Sequence, residues 1–332
     1  MNEIPENFYK EWDALIDRVF AIDTIDINVT DIEDASVLRT AYSEEQPREP
    51  AGSSTGGQWA SSGGFAHTGI EWKQATDKDG RPIPIKVNTV EEGVELILQG
   101  KVVEVTDARA AYTLIRKLAD MATEAKAAGQ KAKDYDLCQV SVAGSNLFCA
   151  QSLRNVQVGN KFYPEGLSRI EMPQLGGNPV PGSEADKLPR NWWDKTEVDG
   201  AAAFITHLQG IGVKTTAEVL PASSLKATQR EMVGPKVASM MDDKTFNPAT
   251  NPVFISSDGY VVDGHHRWAA VVGRDAEDGH LGDSTMNVVR VNAPISEVLH
   301  LATAWAEKFG IAQKAGVKRQ AAVIGMTKET KA

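Results

Sequence analysis

Only two cysteines occur in 332 residues, Cys138 and Cys149. Neither belongs to a CxxC pair or sits beside a histidine in sequence, so the ligand spacing of a zinc site is missing. Both thiols are expected to be reduced, buried and structural, rather than a bridge or a nucleophile. Long apolar runs are missing as well. None approaches the ~18 residues that a membrane span needs, and the first residues lack the charged, apolar and small-residue order of a leader. The chain is therefore expected to be made and kept in a cytoplasm, or packaged from one, with no membrane partner. A basic excess is lacking too. The formal net charge is −10, and residues 1–46 carry twelve Asp and Glu against three Lys and Arg, which leaves about −1 for the remainder. A nearly neutral body lacks the basic footprint behind most non-specific DNA affinity, which weakens any nuclease reading.

What is present fits an ordinary globular chain, 42% hydrophobic and 24% charged. Its length exceeds the usual single domain and predicts two folded units plus tails. Residues 1–45 form an acidic arm in which Phe8, Trp12, Leu15, Ile16, Val19 and Phe20 fall on one helical face. Such a helix either docks on a partner or packs on its own body. Residues 46–67 are rich in Gly, Ser and Pro and carry few side chains able to offset the cost of ordering, so a flexible, disordered linker is expected.

Residues 68–189 read as a mixed α/β unit of unknown function. Helices are expected over Val90 to Leu98, with Thr89 as N-cap, and over Ala108 to Ala128. Lys101 to Val105 reads as a strand, and Leu137 to Phe148 as a hairpin turning at Gly144-Ser145. Pro179 to Trp193 joins this unit to residues 190–312, where helices are expected over Ala201 to Leu208, Arg230 to Met241 and Pro294 to Phe309, and strands over Val213 to Leu220 and Thr285 to Val291. Residues 313–332 are a basic tail, read as a solvated end or a nucleic-acid contact. The fold class is α+β.

The most telling stretch is Asp263-Gly264-His265-His266-Arg267. Upstream, Val253-Phe254-Ile255 and Tyr260-Val261-Val262 flank Ser257-Asp258-Gly259, a hairpin signal. Downstream, Trp268 to Val272 is helix-compatible with Gly273 as its stop. The motif therefore falls at a helix N-terminus, where unpaired N–H groups and the dipole favour anions. Gly264 lets an oxygen approach the backbone, Arg267 offers a planar fork, His265 and His266 offer donors, and Asp263 can cap the helix or hold Mg²⁺. The bland alternative is an Asp-Gly turn with surface histidines. His207, His280 and His300 have no organised partners in sequence.

From about Val213 to Gly310 the order of these pieces resembles the ParB/sulfiredoxin (ParB-like nuclease) superfamily. The resemblance runs through residues 217–225, Gln229 to Met241, residues 251–255 and the five-residue motif. It implies a mixed sheet with helices and a phosphate-binding turn. Sulfiredoxins carry a Cys just after the Gly, where this chain has His265, so sulfinic-acid repair is not implied. The CTP-binding chromosome-partitioning members place arginines where His265 and His266 stand here. The Asp-Gly-His-His-Arg form is similar to that of free-serine kinases, which implies nucleotide phosphate handling by Gly264, His265, His266 and Arg267, with Mg²⁺ on Asp263. A Glu from the first helix acts as base in that branch, and Glu231 is the residue that matches, with Gln229 and Arg230 beside it as alternatives to face the motif. A helix-terminal carboxylate favoured by the dipole is the plain reading of Glu231. Residues 46–66 also resemble tracts of head-associated proteins of tailed bacteriophages, and parts of residues 136–175 resemble phage minor head proteins.

Three functions follow as expectations. The first is an enzyme that binds ATP, ADP or CTP with Mg²⁺ and moves a phosphoryl group to a small hydroxyl or to water, with Glu231, His265 and His266 as catalytic residues. The second is a nuclease using the same grip on DNA or RNA. The third is a non-catalytic phage head or internal virion protein, its acidic arm contacting head proteins. The corresponding locations are the host cytoplasm or the virion.

Overall fold

The computed structural model describes residues 73–312, apart from residue 79, residues 131–133, 143–144, 146, 150–152, 154–155, 159–160, 164–165, 192–194 and 249–251. The acidic arm, the linker and the basic tail expected from the sequence lie outside the described residues. The chain is mixed α and β, and the described residues from Gln74 onward belong to one compact unit.

Its first layer alternates strand and helix. The order is β1 (Ile85–Lys86), α1 (Val90–Leu98), β2 (Val103–Val105), α2 (Ala108–Ala127) and β3 (Val140–Val142), and the strands form an all-parallel sheet in the order β1-β2-β3. The Thr89 hydroxyl accepts from the Glu92 N–H at 3.2 Å and fixes the start of α1, satisfying one of the donors a helix leaves unpaired. Apolar residues at helical spacing, Val94 and Ile97 on α1 with Ala111, Leu114 and Leu118 on α2, are buried.

Residues 143–144, the turn of the expected hairpin, lie outside the described residues. Leu137–Gln139 is a 3₁₀ turn started by a capping box, in which Asp136 accepts from Cys138 and Gln139 reaches back to the Asp136 N–H. Val140–Val142 then pairs with β2, and an isolated antiparallel bridge joins Val142 to Ser145 across the turn. Burial favours the pairing with β2: Val140, Ser141 and Val142 are buried, and the Ser141 hydroxyl donates to the Val103 carbonyl at 3.0 Å. Both cysteines are free and buried, as expected. The Cys149 thiol donates to the Cys138 carbonyl at 3.1 Å and the Cys138 thiol to the Phe148 carbonyl at 3.4 Å. Replacing either by Ala is expected to cost about 1–3 kcal/mol in urea denaturation through lost packing, while the folded protein keeps its ligand binding.

Two short antiparallel pairs follow, β4 (Val156–Val158) with β5 (Lys161–Tyr163) and β6 (Gly176–Gly177) with β7 (Val198–Asp199). Between β6 and β7 the joining segment is anchored by a Pro179–Ile311 bridge and by the Ser183 hydroxyl on the Gly310 carbonyl at 3.2 Å. After α3 (Ala201–Gly210), a mixed sheet has the order β10-β9-β11-β8, from β8 (Thr215–Pro221), β9 (Val253–Ile255), β10 (Val261–Asp263) and β11 (Thr285–Val291). Strands β9 and β11 run parallel and the outer pairings are antiparallel. Arg290 on β11 grips Glu218 on β8 through two bonds of 2.8 and 2.9 Å and donates to the Ser257 carbonyl at 3.1 Å, tying two strands to the β9–β10 turn.

Helix α6 (Ile295–Phe309) ends at Gly310, as its pattern predicts. It buries Val298, Ala302 and Trp305. Trp305 meets Phe204 of α3 edge-on at 5.4 Å, and Phe204 meets Phe254 of β9 at 5.9 Å, so these aromatic contacts continue from the helices onto the sheet.

Helix α4 begins later than its sequence pattern suggests, at Gly234, and runs to Asp242. Pro235 sits in its first turn, where a missing N–H costs nothing. The residues before it are committed elsewhere. The Arg230 N–H donates to the Leu167 carbonyl at 2.9 Å, and the Met232 N–H to the buried Asp136 carboxylate at 2.8 Å. Helix α5 (His265–Asp275) runs through Gly273, which was expected to stop it. A Cβ on Gly273 would come within 2.6 Å of the Met241 sulfur, so this glycine serves the close approach of α4 and α5 rather than a helix end.

Candidate functional site

The five-residue motif stands where the β9–β10 hairpin runs into α5. The pairing of β10 with β9 is irregular between Val261 and Asp263. A bulge of this kind re-aims the strand end. Gly264 is the N-cap residue at φ +97°. The first intrahelical acceptor is its own carbonyl, which takes the Trp268 N–H at 2.9 Å. The N–H groups before Trp268 belong to the first turn, the end of the helix that attracts anions. The motif therefore does begin a helix, as expected.

Asp263 does not cap that helix. Its carboxylate instead pairs with the Arg267 guanidinium at 3.2 Å, one turn on. Arg267 also donates to the Pro252 carbonyl at 3.4 Å, and its Nε is buried with no hydrogen-bond partner among the described residues. The expectation that Arg267 grips phosphate meets a side chain committed to the protein.

The two histidines have different surroundings. His265 is buried, and its Nε2 accepts from the Thr228 N–H at 3.1 Å and the Gln229 N–H at 3.2 Å. A nitrogen that accepts carries no proton, so the neutral ring holds its proton on Nδ1. Burial pushes its pKa from 6.5 down to about 3. His265 is thus a neutral positioning residue near physiological pH, not the readily charged donor the sequence suggests. His266 is half-buried, and its Nε2 accepts from the Val233 N–H at 3.3 Å.

An open cleft with a cavity volume of about 70 Å³ lies against the motif, floored by Val262 to His266. Arg169, Met172 to Gln174, Gln229 and Lys236 complete its lining. At roughly 10–15 Å³ per water, it has room for about five to seven waters, enough to admit a phosphate group. Of the expected site residues, the structure brings Asp263, Gly264, His265 and His266 to this cleft. Arg267 and Glu231 are not among its lining residues. Glu231 lies ahead of α4, where its carboxylate accepts from the Arg169 N–H at 2.8 Å, so neither the base role nor the helix-terminal role describes its contact. Gln229 is the one of the three neighbouring candidates that lines the cleft.

Arg169, Gln174 and Lys236 were not identified as site residues from the sequence. The stretch Arg169 to Leu175 carries no local signal of a site, because it reaches the motif through distant pairing: Leu167 bridges Gln229, and the Leu167 N–H donates to the Thr228 carbonyl at 3.0 Å. Among the described residues, no three His, Cys, Asp or Glu side chains converge as a metal centre. Compared with protein families, with curated proteins and with solved structures, the chain matches none.

Proposed function

We propose that the cleft binds a nucleotide phosphate, with ATP, ADP and CTP as the nucleotides to test, and that the protein moves the phosphoryl group to a small hydroxyl acceptor or to water. One observation carries this reading: the Gly264-led start of α5 opens into a cleft with room for a phosphate, which Arg169, Lys236 and His266 also line. Phosphoryl transfer asks the protein chiefly for charge neutralisation and positioning, with little covalent work.

Each lining residue has a part in it. Gly264 admits the phosphate to the first-turn N–H groups. His266 lines the cleft, its Nε2 accepting from the Val233 N–H, and would meet a phosphate oxygen there. Asp263 is the carboxylate of the cleft. One carboxylate together with the ligand's own phosphate oxygens and water is a donor set on which Mg²⁺ is commonly held, so the residues present suit that ion as a shared ligand rather than as a protein-only centre. When bound, Mg²⁺ would offset charge on the phosphate oxygens.

A second reading is a phosphate-binding module without turnover. It is favoured by Glu231, whose carboxylate is engaged with the Arg169 N–H instead of being offered to an acceptor hydroxyl. The resemblance of residues 46–66 to phage head-associated tracts gives this reading a setting, a virion or host-cytoplasm protein whose acidic arm meets other head proteins. A nuclease is disfavoured by the nearly neutral charge of residues 47–332.

The test incubates the full chain with each nucleotide and Mg²⁺, and separately with DNA and RNA, then resolves the products by chromatography. Nucleotide turnover is expected, and His266→Ala should lower it by about a hundredfold, the usual effect of losing one donor to a transferring group, with circular dichroism unchanged. Binding without products would select the second reading. Binding of neither nucleotide nor nucleic acid would sink both enzyme readings and leave a non-catalytic virion protein.

A further inference from the structure

The mixed sheet ends on β10 at one side and on β8 at the other, and the two edges are treated differently. At β10 the Val261 N–H donates to the Lys226 carbonyl at 2.8 Å, the Thr228 hydroxyl donates to the Val261 carbonyl, and Lys226 bridges Tyr260. That edge is covered. Strand β8 pairs with β11 over all seven of its residues without a bulge, and with no other strand among the described residues. A long, regular, open edge is a template for another strand, and proteins usually blunt one with bulges, covering segments or charges along it. Here Lys214 precedes the strand, Pro221 ends it, and Glu218 is held by Arg290 of β11.

The register fixes which groups this edge offers. The Asn292 N–H donates to the Lys214 carbonyl and the Ala222 N–H to the Ser284 carbonyl, both at 2.9 Å, so the even-numbered residues between Lys214 and Ala222 turn their backbone groups to β11. The odd-numbered residues turn theirs outward. Two outward positions are closed: the Val213 N–H is taken by the Leu208 carbonyl at 2.9 Å, while Pro221 has no N–H and its carbonyl accepts from the Ser224 hydroxyl at 2.7 Å. Thr215, Ala217 and Val219 remain, and their outward N–H and C=O groups have no partner among the described residues. The open stretch is symmetric about Ala217.

We infer that this edge joins a second copy of the chain, β8 against β8 in antiparallel pairing, with the twofold axis between the two Ala217 residues. Thr215 then stands opposite Val219 of the second copy, and about six N–H···O bonds satisfy the outward groups of both strands. A twofold closes the assembly at two copies and makes one continuous sheet of the two mixed sheets. The side chains suit that register. Ala217, the smallest on the strand, is the residue that meets its own copy. Val219, 44% exposed, gains a β-branched neighbour in Thr215. Lys214 falls opposite Leu220 and Glu218 opposite Thr216, so no like charges face each other. The symmetry of the blocked ends argues for self-pairing, since an added foreign strand would need none. The cleft is floored by residues of β10, at the other edge of the sheet, so the pairing leaves it open and does not depend on the phosphate reading.

The test is sedimentation velocity of the full chain from about 1 to 100 μM, which spans micromolar dissociation constants. A dimer is expected. A217P removes the central outward N–H at a position where an edge strand tolerates proline, and it should weaken dimerisation by about tenfold or more while circular dichroism stays native. A217C reads the register. In this pairing the two Ala217 Cα atoms lie about 5.5 Å apart, within disulfide reach, so mild oxidation should give a covalent dimer on a non-reducing gel. V219C should not crosslink, because Val219 stands roughly 13 Å along the strand from its own copy. If A217P fails to fold, A217C against V219C decides. A wild type that stays monomeric at the highest concentration, a dimer that folded A217P leaves intact, or V219C crosslinking as readily as A217C would overturn the inference.

Discussion

Gly264→Ala is expected to lower stability by about 3 kcal/mol and to abolish ligand binding at the cleft. Two costs combine. At φ +97° the backbone is in a region that side-chain-bearing residues rarely adopt, and the left-handed side of the map costs roughly 1–2 kcal/mol for an L-residue with a Cβ. An added Cβ would also come within 2.5 Å of the Val253 Cγ1 and 2.8 Å of the Arg267 Nη2. Val253 is fully buried on β9, and forcing a methyl into packed surroundings costs typically about 1–3 kcal/mol. For a folded unit of this size the melting temperature should fall by roughly 6–12 °C. Gly264→Asn separates the two costs, since Asn tolerates positive φ but still carries a Cβ. An alanine variant melting within a degree or two of wild type would show that neither the turn nor the close approach is as tight as described.

The same glycine shows how much of the site was legible in the sequence. An Asp-Gly turn between two short β-branched runs, followed by a motif and an apolar helix, left few options for the backbone, and β9, β10 and α5 formed where that pattern placed them. Thr89 and α1 were legible for the same reason: a capping side chain and an apolar stripe are local signals. Misreadings arose wherever a distant partner decided the outcome. Periodicity alone extended α4 back to Arg230, but Leu167 and Asp136 claim the N–H groups that a helix would have used. Gly273 looked like a helix end because no local pattern reveals the sulfur of Met241 lying against it.

The cleft divides along the same line. Its floor comes from one contiguous motif and could be named in advance, residue by residue. Another part of its lining, Arg169 with Met172 to Gln174, is carried in by pairing of residues 167–169 with residues 228–231, for which sequence spacing offers no sign. The choice between Glu231 and Gln229 fell to the same pairing, which turns the carboxylate to the Arg169 backbone and leaves Gln229 at the cleft.

A steep loss of stability on mild acidification is expected from His265, the ring that supports that floor. Its pKa in the folded protein is about 3 against 6.5 for the free side chain. The group is neutral in both states above pH 6.5, so its contribution is intact there. As pH falls below 6.5 the unfolded chain takes up a proton that the folded protein refuses, and stability declines until the folded pKa is reached. At about 1.4 kcal/mol per pH step, the loss approaches roughly 3 kcal/mol by pH 4.5 and 5 kcal/mol below pH 3. The structural cause is specific: protonation would convert Nε2 from acceptor to donor while it faces the Thr228 and Gln229 N–H groups. His265→Leu removes that acceptor outright and strands two buried donors, each worth about 1–3 kcal/mol, so it should cost roughly 4 kcal/mol at pH 7.5. His265→Gln keeps an acceptor and cannot titrate. Urea denaturation of wild type and this variant from pH 7.5 to 4.5 separates the ring from the carboxylates, which titrate in both proteins. The wild type should start more stable and lose its lead as pH drops, whereas parallel profiles would mean that His265 is not held neutral by its buried contacts.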